Sequence, residues 1–279
     1  DVEGATVLRR ENLARWRIAS PQHPGLARDL ALVAASALRH DDDETAATLA
    51  AEAEAIMSAA LGPEHFGVVR TQVLVQEIAG VRAPEAALVV LGELCTRAAA
   101  LRAGRAATLS SCLAARAGVL RALDRRELAL ADLQAALAAT DSRGSQHAIA
   151  AGHILLEIAE LELDGGHTAR ASERLNAARA LGDAARGWTP WREALLARMW
   201  NDLGQPQTAA QHVAAARAAL PGADAATTVI ATIELEDARA RGDGELALAA
   251  RDRLRAREQP SSELARAEAL VRALKGAHP

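Results

Sequence analysis

Four groups of residues are of the types that do chemistry. The run His40-Asp41-Asp42-Asp43-Glu44 gathers an imidazole and four carboxylates, a set that could hold a cation. It falls between two helix-length apolar patterns, where an Asp caps the next helix and its charge favours the positive helix end, so a cap is the simpler reading. His153, Glu157, Glu160 and Asp164 recur at three- and four-residue steps, which places them on one face of a helix. Paired carboxylates can run acid–base chemistry, and His153 with Glu157 makes an i,i+4 pair. A solvated or peptide-facing acidic stripe needs no such chemistry and is the expectation. Cys95 and Cys112 stand 17 residues apart and match no metal-ligand spacing. Two buried, reduced thiols are the simpler reading; a disulfide stays open, because both positions fall on neighbouring antiparallel helices. Trp188 and Trp191, in Arg-Gly-Trp-Thr-Pro-Trp, could form a recognition platform, since Trp is enriched in binding hot spots. Packing of the loop is the simpler reading there.

Several reaction classes are excluded. Gly165-Gly166 and Gly242-x-Gly244 read as turns between helices rather than phosphate cradles. The one lysine, Lys275, lies four residues from the end, which argues against a P-loop, a Schiff base or a kinase fold. There is no His-Glu-x-x-His helix and no Gly-x-Ser-x-Gly elbow. We expect no enzyme here, and no catalytic, cofactor-binding or metal-binding residue.

The elements that must position these groups are helices. Of 279 residues half are apolar, dominated by Ala and Leu, and the aromatics are only Trp16, Phe66, Trp188, Trp191 and Trp200. Ala, Leu, Arg and Glu are strong helix formers, whereas strands favour β-branched and aromatic residues. An all-α class follows. Apart from Lys275 every basic residue is Arg, which together with abundant Ala points to a GC-rich bacterial genome. The net charge is −4 with both signs interspersed, so no basic stripe favours nucleic acid. No transmembrane window and no signal peptide are present, and the chain begins with Asp1; we expect a segment of a longer protein.

The helices repeat. "ASPQHPGLARDLALVA" from Ala19 aligns with "LGPEHFGVVRTQVLVQ" from Leu61, with His23 and His65 42 residues apart, and His147 follows about two periods later. A small residue recurs at Ala46, Ala87, Ala129, Ala171, Ala209 and Ala247, at spacings of 41, 42, 42, 38 and 38. Five residues before each stands a turn residue: Asp41, Arg82, Asp124, Gly166, Gly204 and Gly242. Seven after each stands Ala53, Leu94, Ala136, Ala178, Ala216 or Leu254. Close helix crossings admit only small side chains, and Gly or Asp supports the tight turn between them. The spacing predicts helices over 4–19, 24–39, 44–60, 66–81, 84–102, 106–122, 126–139, 146–163, 167–181, 189–202, 206–219, 224–240, 244–257 and 262–275. Ser262, after Pro260, is the expected N-cap of the last.

The stretches from Cys112 ("CLAARAGVLRALDRRELALADLQAALAATD") and from Glu193 ("EALLARMWNDLGQPQTAAQHVAAARAALP") resemble the tetratricopeptide repeat. In the second, Leu196, Ala197, Trp200, Gly204, Ala209, Ala216 and Pro221 occupy that family's large, small, aromatic, turn, small, small and terminating places. The period and the phrase "LGPEHFGVVR" look like the kinesin-light-chain subtype. Arg82-Ala83-Pro84 in place of a Gly turn, and Arg251 at a usually apolar place, depart from the pattern. The resemblance implies one right-handed superhelical solenoid: an N-terminal helix over 1–22, six hairpins over 23–258 and a capping helix over 259–279.

It also implies a concave groove lined by the first helix of each hairpin. Carried over position by position, the groove takes Arg28, Leu32 and Arg39, then Gln72 and Gln76, then Ser111 and Arg121. His153, Glu157, Glu160 and Asp164 follow, then Trp191, Arg198 and Asn201, and finally Glu236. The family's carboxylate clamp is absent. The expected function is a non-enzymatic protein- or peptide-binding scaffold, with other domains of the same chain among its partners. The alternative is a sensory or regulatory module of a larger bacterial serine/threonine kinase or transcription regulator. The expected location is cytoplasmic, with an extracytoplasmic domain of a membrane-anchored parent as the alternative.

Overall fold

The structure is a computed structural model that describes residues 2–39, 42–140, 145–182, 187–220, 227–256 and 262–276. Among the described residues there are fourteen helices and no strand. In chain order they are α1 (Val2–Ala19), α2 (Pro24–Arg39), α3 (Asp43–Leu61), α4 (Phe66–Gly80), α5 (Pro84–Ala100), α6 (Arg105–Ala122) and α7 (Arg126–Ala139). They continue with α8 (Ser145–Asp164), α9 (Thr168–Ala180), α10 (Thr189–Asp202), α11 (Pro206–Ala218), α12 (Thr227–Arg241), α13 (Gly244–Arg255) and α14 (Ser262–Gly276). None of the described helices is long and apolar enough to cross a membrane.

The chain divides into two compact units, Asp1–Asp141 and Ser142–Pro279. In each, a helix packs on the next across a short turn, as α6 does on α7 and α10 on α11. Side-chain pairs give the sense of that packing. Arg116 reaches Asp132 and Ser110 reaches Thr140, so a step back along α6 is a step forward along α7: the two are antiparallel. The first helices of successive hairpins also touch, α4 with α6 in the first unit and α10 with α12 in the second.

The predicted register is the packing register. All twelve of the small and apolar positions from Ala46 to Leu254 are buried. The turns share one backbone device. Two or three residues beyond the first helix, an N–H closes back on the carbonyl five residues earlier, as in Arg125 to Leu120 (2.8 Å), His167 to Glu162 (2.7 Å), Gln205 to Trp200 (2.8 Å) and Asp243 to Ala238 (3.0 Å). Asp42 to Ala37 (3.0 Å) repeats it in the first hairpin. This six-to-one bond is the Schellman closure, which needs a left-handed residue just past the helix. Gly166, Gly204 and Gly242 supply it with φ of 75°, 69° and 68°, and Asp124 supplies it at 55°. The second hairpin lacks both features, as its Arg82-Ala83-Pro84 sequence suggests: Ala83 bonds to Ala79 in an ordinary helical step (3.0 Å) and Pro84 starts α5.

Two further sequence features become capping. His23 and His65 each accept, through Nδ1, the N–H of the glycine two residues on, at 3.0 and 3.1 Å. His23 stacks on Trp16 with centroids 4.8 Å apart. A Cβ at Gly25 would lie 2.9 Å from His23 Nδ1, so the close approach of the ring selects glycine there. In the acidic run, Asp42 Oδ1 accepts the Thr45 N–H at 3.2 Å and caps α3; His40 and Asp41 lie outside the described residues. The side chain of Ser262, the expected cap of α14, also lies outside them.

Cys95 on α5 and Cys112 on α6 are joined in a disulfide, Cα to Cα 5.4 Å, which corrects the expectation of reduced thiols. The reason is geometric: α5 and α6 pack antiparallel about the 101–104 connection, which brings these two buried positions face to face.

Candidate functional site

The acidic stripe of α8 lies in the second unit. His153, Glu157, Glu160 and Asp164 do fall on one face, but α10 packs against that face and changes its role. Glu160 is 4% exposed. Asp164 accepts a hydrogen bond from Arg198 at 2.7 Å. The expectation of a solvated strip therefore fails for these two, and Glu157, one and two turns nearer the helix start, is only 15% exposed.

Arg198 is the first rung of an ionic ladder over α8, α10, α12 and α14. It is itself 4% exposed, and its Nε stands 3.9 Å from Asp202 one turn on. Asp202 takes Arg239 of α12 at 2.8 Å. Arg239 also reaches Glu236 at 3.4 Å, and Glu236 takes Arg266 of α14 at 3.2 Å. Asn201 donates to both the carbonyl and the carboxylate of Glu236, each at 2.9 Å. Partners on successive first helices stand 34, 35 and 37 residues apart, so these helices run parallel with one repeat of offset. Alternation of sign is required, because a buried charge is tolerated only when paired and hydrogen-bonded. Burial alone would lower the pKa of Arg239; attraction to Glu236 and the hydrogen bond and charge of Asp202 outweigh it and raise the pKa, so the cation is locked in.

Beside the ladder lies a patch of rings. His153 of α8 meets Trp188 and Trp191 at centroid distances of 4.7 and 5.5 Å, and the two indoles stand 6.4 Å apart. The Trp188 indole N–H donates to the Ile149 carbonyl at 3.1 Å, so this ring does pack the loop onto α8. All three rings remain partly exposed, and Ile149 adds an apolar edge.

The expected groove residues of the first unit do not form a comparable cluster. Gln72 is engaged between Glu54 of α3 (3.1 Å) and Arg97 of α5 (2.9 Å). Gln76 and Arg121 are half-buried, and Ser111 is exposed. Arg28 is exposed with Asp29 3.7 Å away, and Leu32 is 41% exposed. The side chain of Arg39 lies outside the described residues. In the second unit Arg198, Asn201 and Glu236 are spent on the ladder, and Trp191 and His153 on the ring patch.

Sequence reasoning missed Arg266, which closes the ladder from the terminal helix, and the pairs Arg116–Asp132 and Arg217–Asp237, in each of which the carboxylate is buried. A signal existed: opposite charges one repeat apart on first helices, as at Asp164 and Arg198, predict contact between those helices.

Fold and site together define an all-α protein of packed helical hairpins with an ionic ladder and an aromatic patch. No known protein family matches the sequence, and no curated protein matches it.

Proposed function

We propose that this chain is a non-enzymatic protein- or peptide-binding scaffold whose hairpins are tetratricopeptide-type repeats stacked as a right-handed superhelical solenoid. The repeated Schellman closure, the buried small-residue register and the parallel contact of successive first helices support the repeat reading. The observation that carries binding is the partly exposed patch of Ile149 and His153 on α8, Trp188 just before α10 and Trp191 in its first turn. Large rings left partly open on a rigid element are the usual centre of a hot spot. The regulatory alternative uses the same patch and differs in what binding does to flanking domains.

A peptide array followed by association kinetics on the full chain tests this. Trp191→Ala is expected to speed dissociation, because apolar anchors supply affinity. Glu157→Arg is expected to slow association and flatten its salt dependence, because charge mainly sets encounter and orientation. Wild-type kinetics for both variants would place the binding surface elsewhere.

The Cys95–Cys112 disulfide supports the second of the two locations, an extracytoplasmic domain of an anchored parent, since disulfides persist in oxidising compartments and are rare where thiols are kept reduced. Alkylation of the protein as isolated from its source cells decides: two labelled cysteines would restore the cytoplasmic reading.

A further inference from the structure

We infer that Trp188, Trp191, His153 and Glu157 form a subsite for one arginine side chain of a peptide partner, an inference that rests on the peptide-binding reading and names its ligand chemistry. The interplanar angles of 61°, 59° and 67° stand the three rings steeply to one another, so they do not close into a single stack. Trp188 is held by its bond to Ile149, and Trp191 is held in the first turn of α10. The His153 side chain is 36% exposed.

One turn along α8, Glu157 is 15% exposed, and its Oε2 is buried with no hydrogen bond, 3.8 Å from His153 Nδ1. Cations nearby on α10 are committed elsewhere. Arg192 donates twice to Glu193, at 3.2 and 2.9 Å, and Arg198 donates to Asp164. A carboxylate with unspent acceptor capacity thus sits beside His153, whose ring touches both indoles.

That pairing suits a guanidinium. Its plane stacks on an aromatic face, where the ring quadrupole attracts it, while its fork of N–H groups reaches a carboxylate. Arginine is also less strongly hydrated than the compact ammonium of lysine, so it gives up less on leaving water. An acidic or phosphorylated side chain would meet Glu157 and be repelled.

The test uses the full chain with its tryptophan indoles labelled with nitrogen-15, titrated with acetyl-arginine-amide and, separately, with its neutral isostere acetyl-citrulline-amide. The indole signals of Trp188 and Trp191 are expected to move with arginine, while Trp16 and Trp200 stay fixed and serve as the check on folding. Citrulline is expected to bind about tenfold more weakly, and Glu157→Gln to reduce arginine binding by a similar factor. Trp191→Leu supplies a second variant with the same expectation should Glu157→Gln disturb the fold. Equal shifts with citrulline, or arginine binding unchanged in these variants, would overturn the subsite. A peptide that binds wild type and variants alike leaves the scaffold reading standing and removes only this subsite. Failure of the peptide array with a positive arginine titration does the reverse.

Discussion

The two units solve one packing problem by different chemistry. In the first, buried polar side chains are mostly hydroxyls, Ser36, Thr71, Thr108 and Ser110, with the carboxylates Asp29 and Asp132. First helices there approach through small residues: a Cβ added at Gly80 of α4 would stand 2.6 Å from the Val119 side chain of α6. One bidentate pair, Arg116–Asp132 with both contacts at 2.6 Å, ties α6 to α7, and its hydrogen bond to Asp132 is the main cause of the raised Arg116 pKa. The disulfide ties α5 to α6. In the second unit Glu160, Glu162, Arg198, Glu236, Asp237 and Glu263 are all buried. First helices there also touch, and long charged side chains link them in addition. An apolar contact tolerates a slip in register; an ionic ladder does not, because a slip strands a buried charge. The second unit therefore specifies its register with charge, and the first with shape and a covalent link.

The largest loss is expected at the ladder. Glu236→Ala leaves Arg239, Arg266 and Asn201 without their shared acceptor, and removing one partner of a buried pair typically costs about 3–5 kcal/mol. Chemical denaturation is expected to show that loss. Next is the disulfide. A cross-link across 17 residues constrains the unfolded chain by about 3 kcal/mol, so Cys95→Ser with Cys112→Ser should destabilise by a comparable amount. Ala129→Leu and Ala209→Leu probe what the two units share. Both positions are fully buried in the same register, so overpacking should cost about 1–3 kcal/mol in either unit. Thermal melts with no loss would remove the register.

The smallest effect is pH-dependent. The hydrogen bond from Arg255, with the charge of Arg255 behind it, holds the Glu268 carboxyl below its ordinary pKa. A depressed carboxyl contributes stability that is present above its unfolded pKa and lost as pH falls through its folded one. The contribution of this exposed pair should therefore persist at neutral pH and fade in acid, and an NMR titration of Glu268 before and after Arg255→Gln measures it.

Most of the fold was legible in the sequence because it is written in small residues. The Ala positions and turn residues recur at a period that only packed hairpins explain, and the predicted helix bounds differ little from those observed. Charge was not legible in the same way. Glu160 and Asp164 have the spacing of a solvated stripe, and only the placement of Arg198 on the next first helix shows them to be covered. Gln72 reads as a groove amide until Glu54 and Arg97 are seen on either side of it. Charge patterning within one helix identifies a face; what covers that face is decided by another helix some 34 to 37 residues away.

Hydrogen exchange on the full chain tests most directly whether unlike interactions hold one shared register. It would be measured on wild type, on wild type with reductant and on Glu236→Ala. A crossed pattern is expected: reductant raises exchange in α5 and α6 and spares α10 and α12, whereas Glu236→Ala raises exchange in α10, α12 and α14 and spares α4 to α6. Uniform loosening in either condition, or no response of α12 to loss of Glu236, would contradict it.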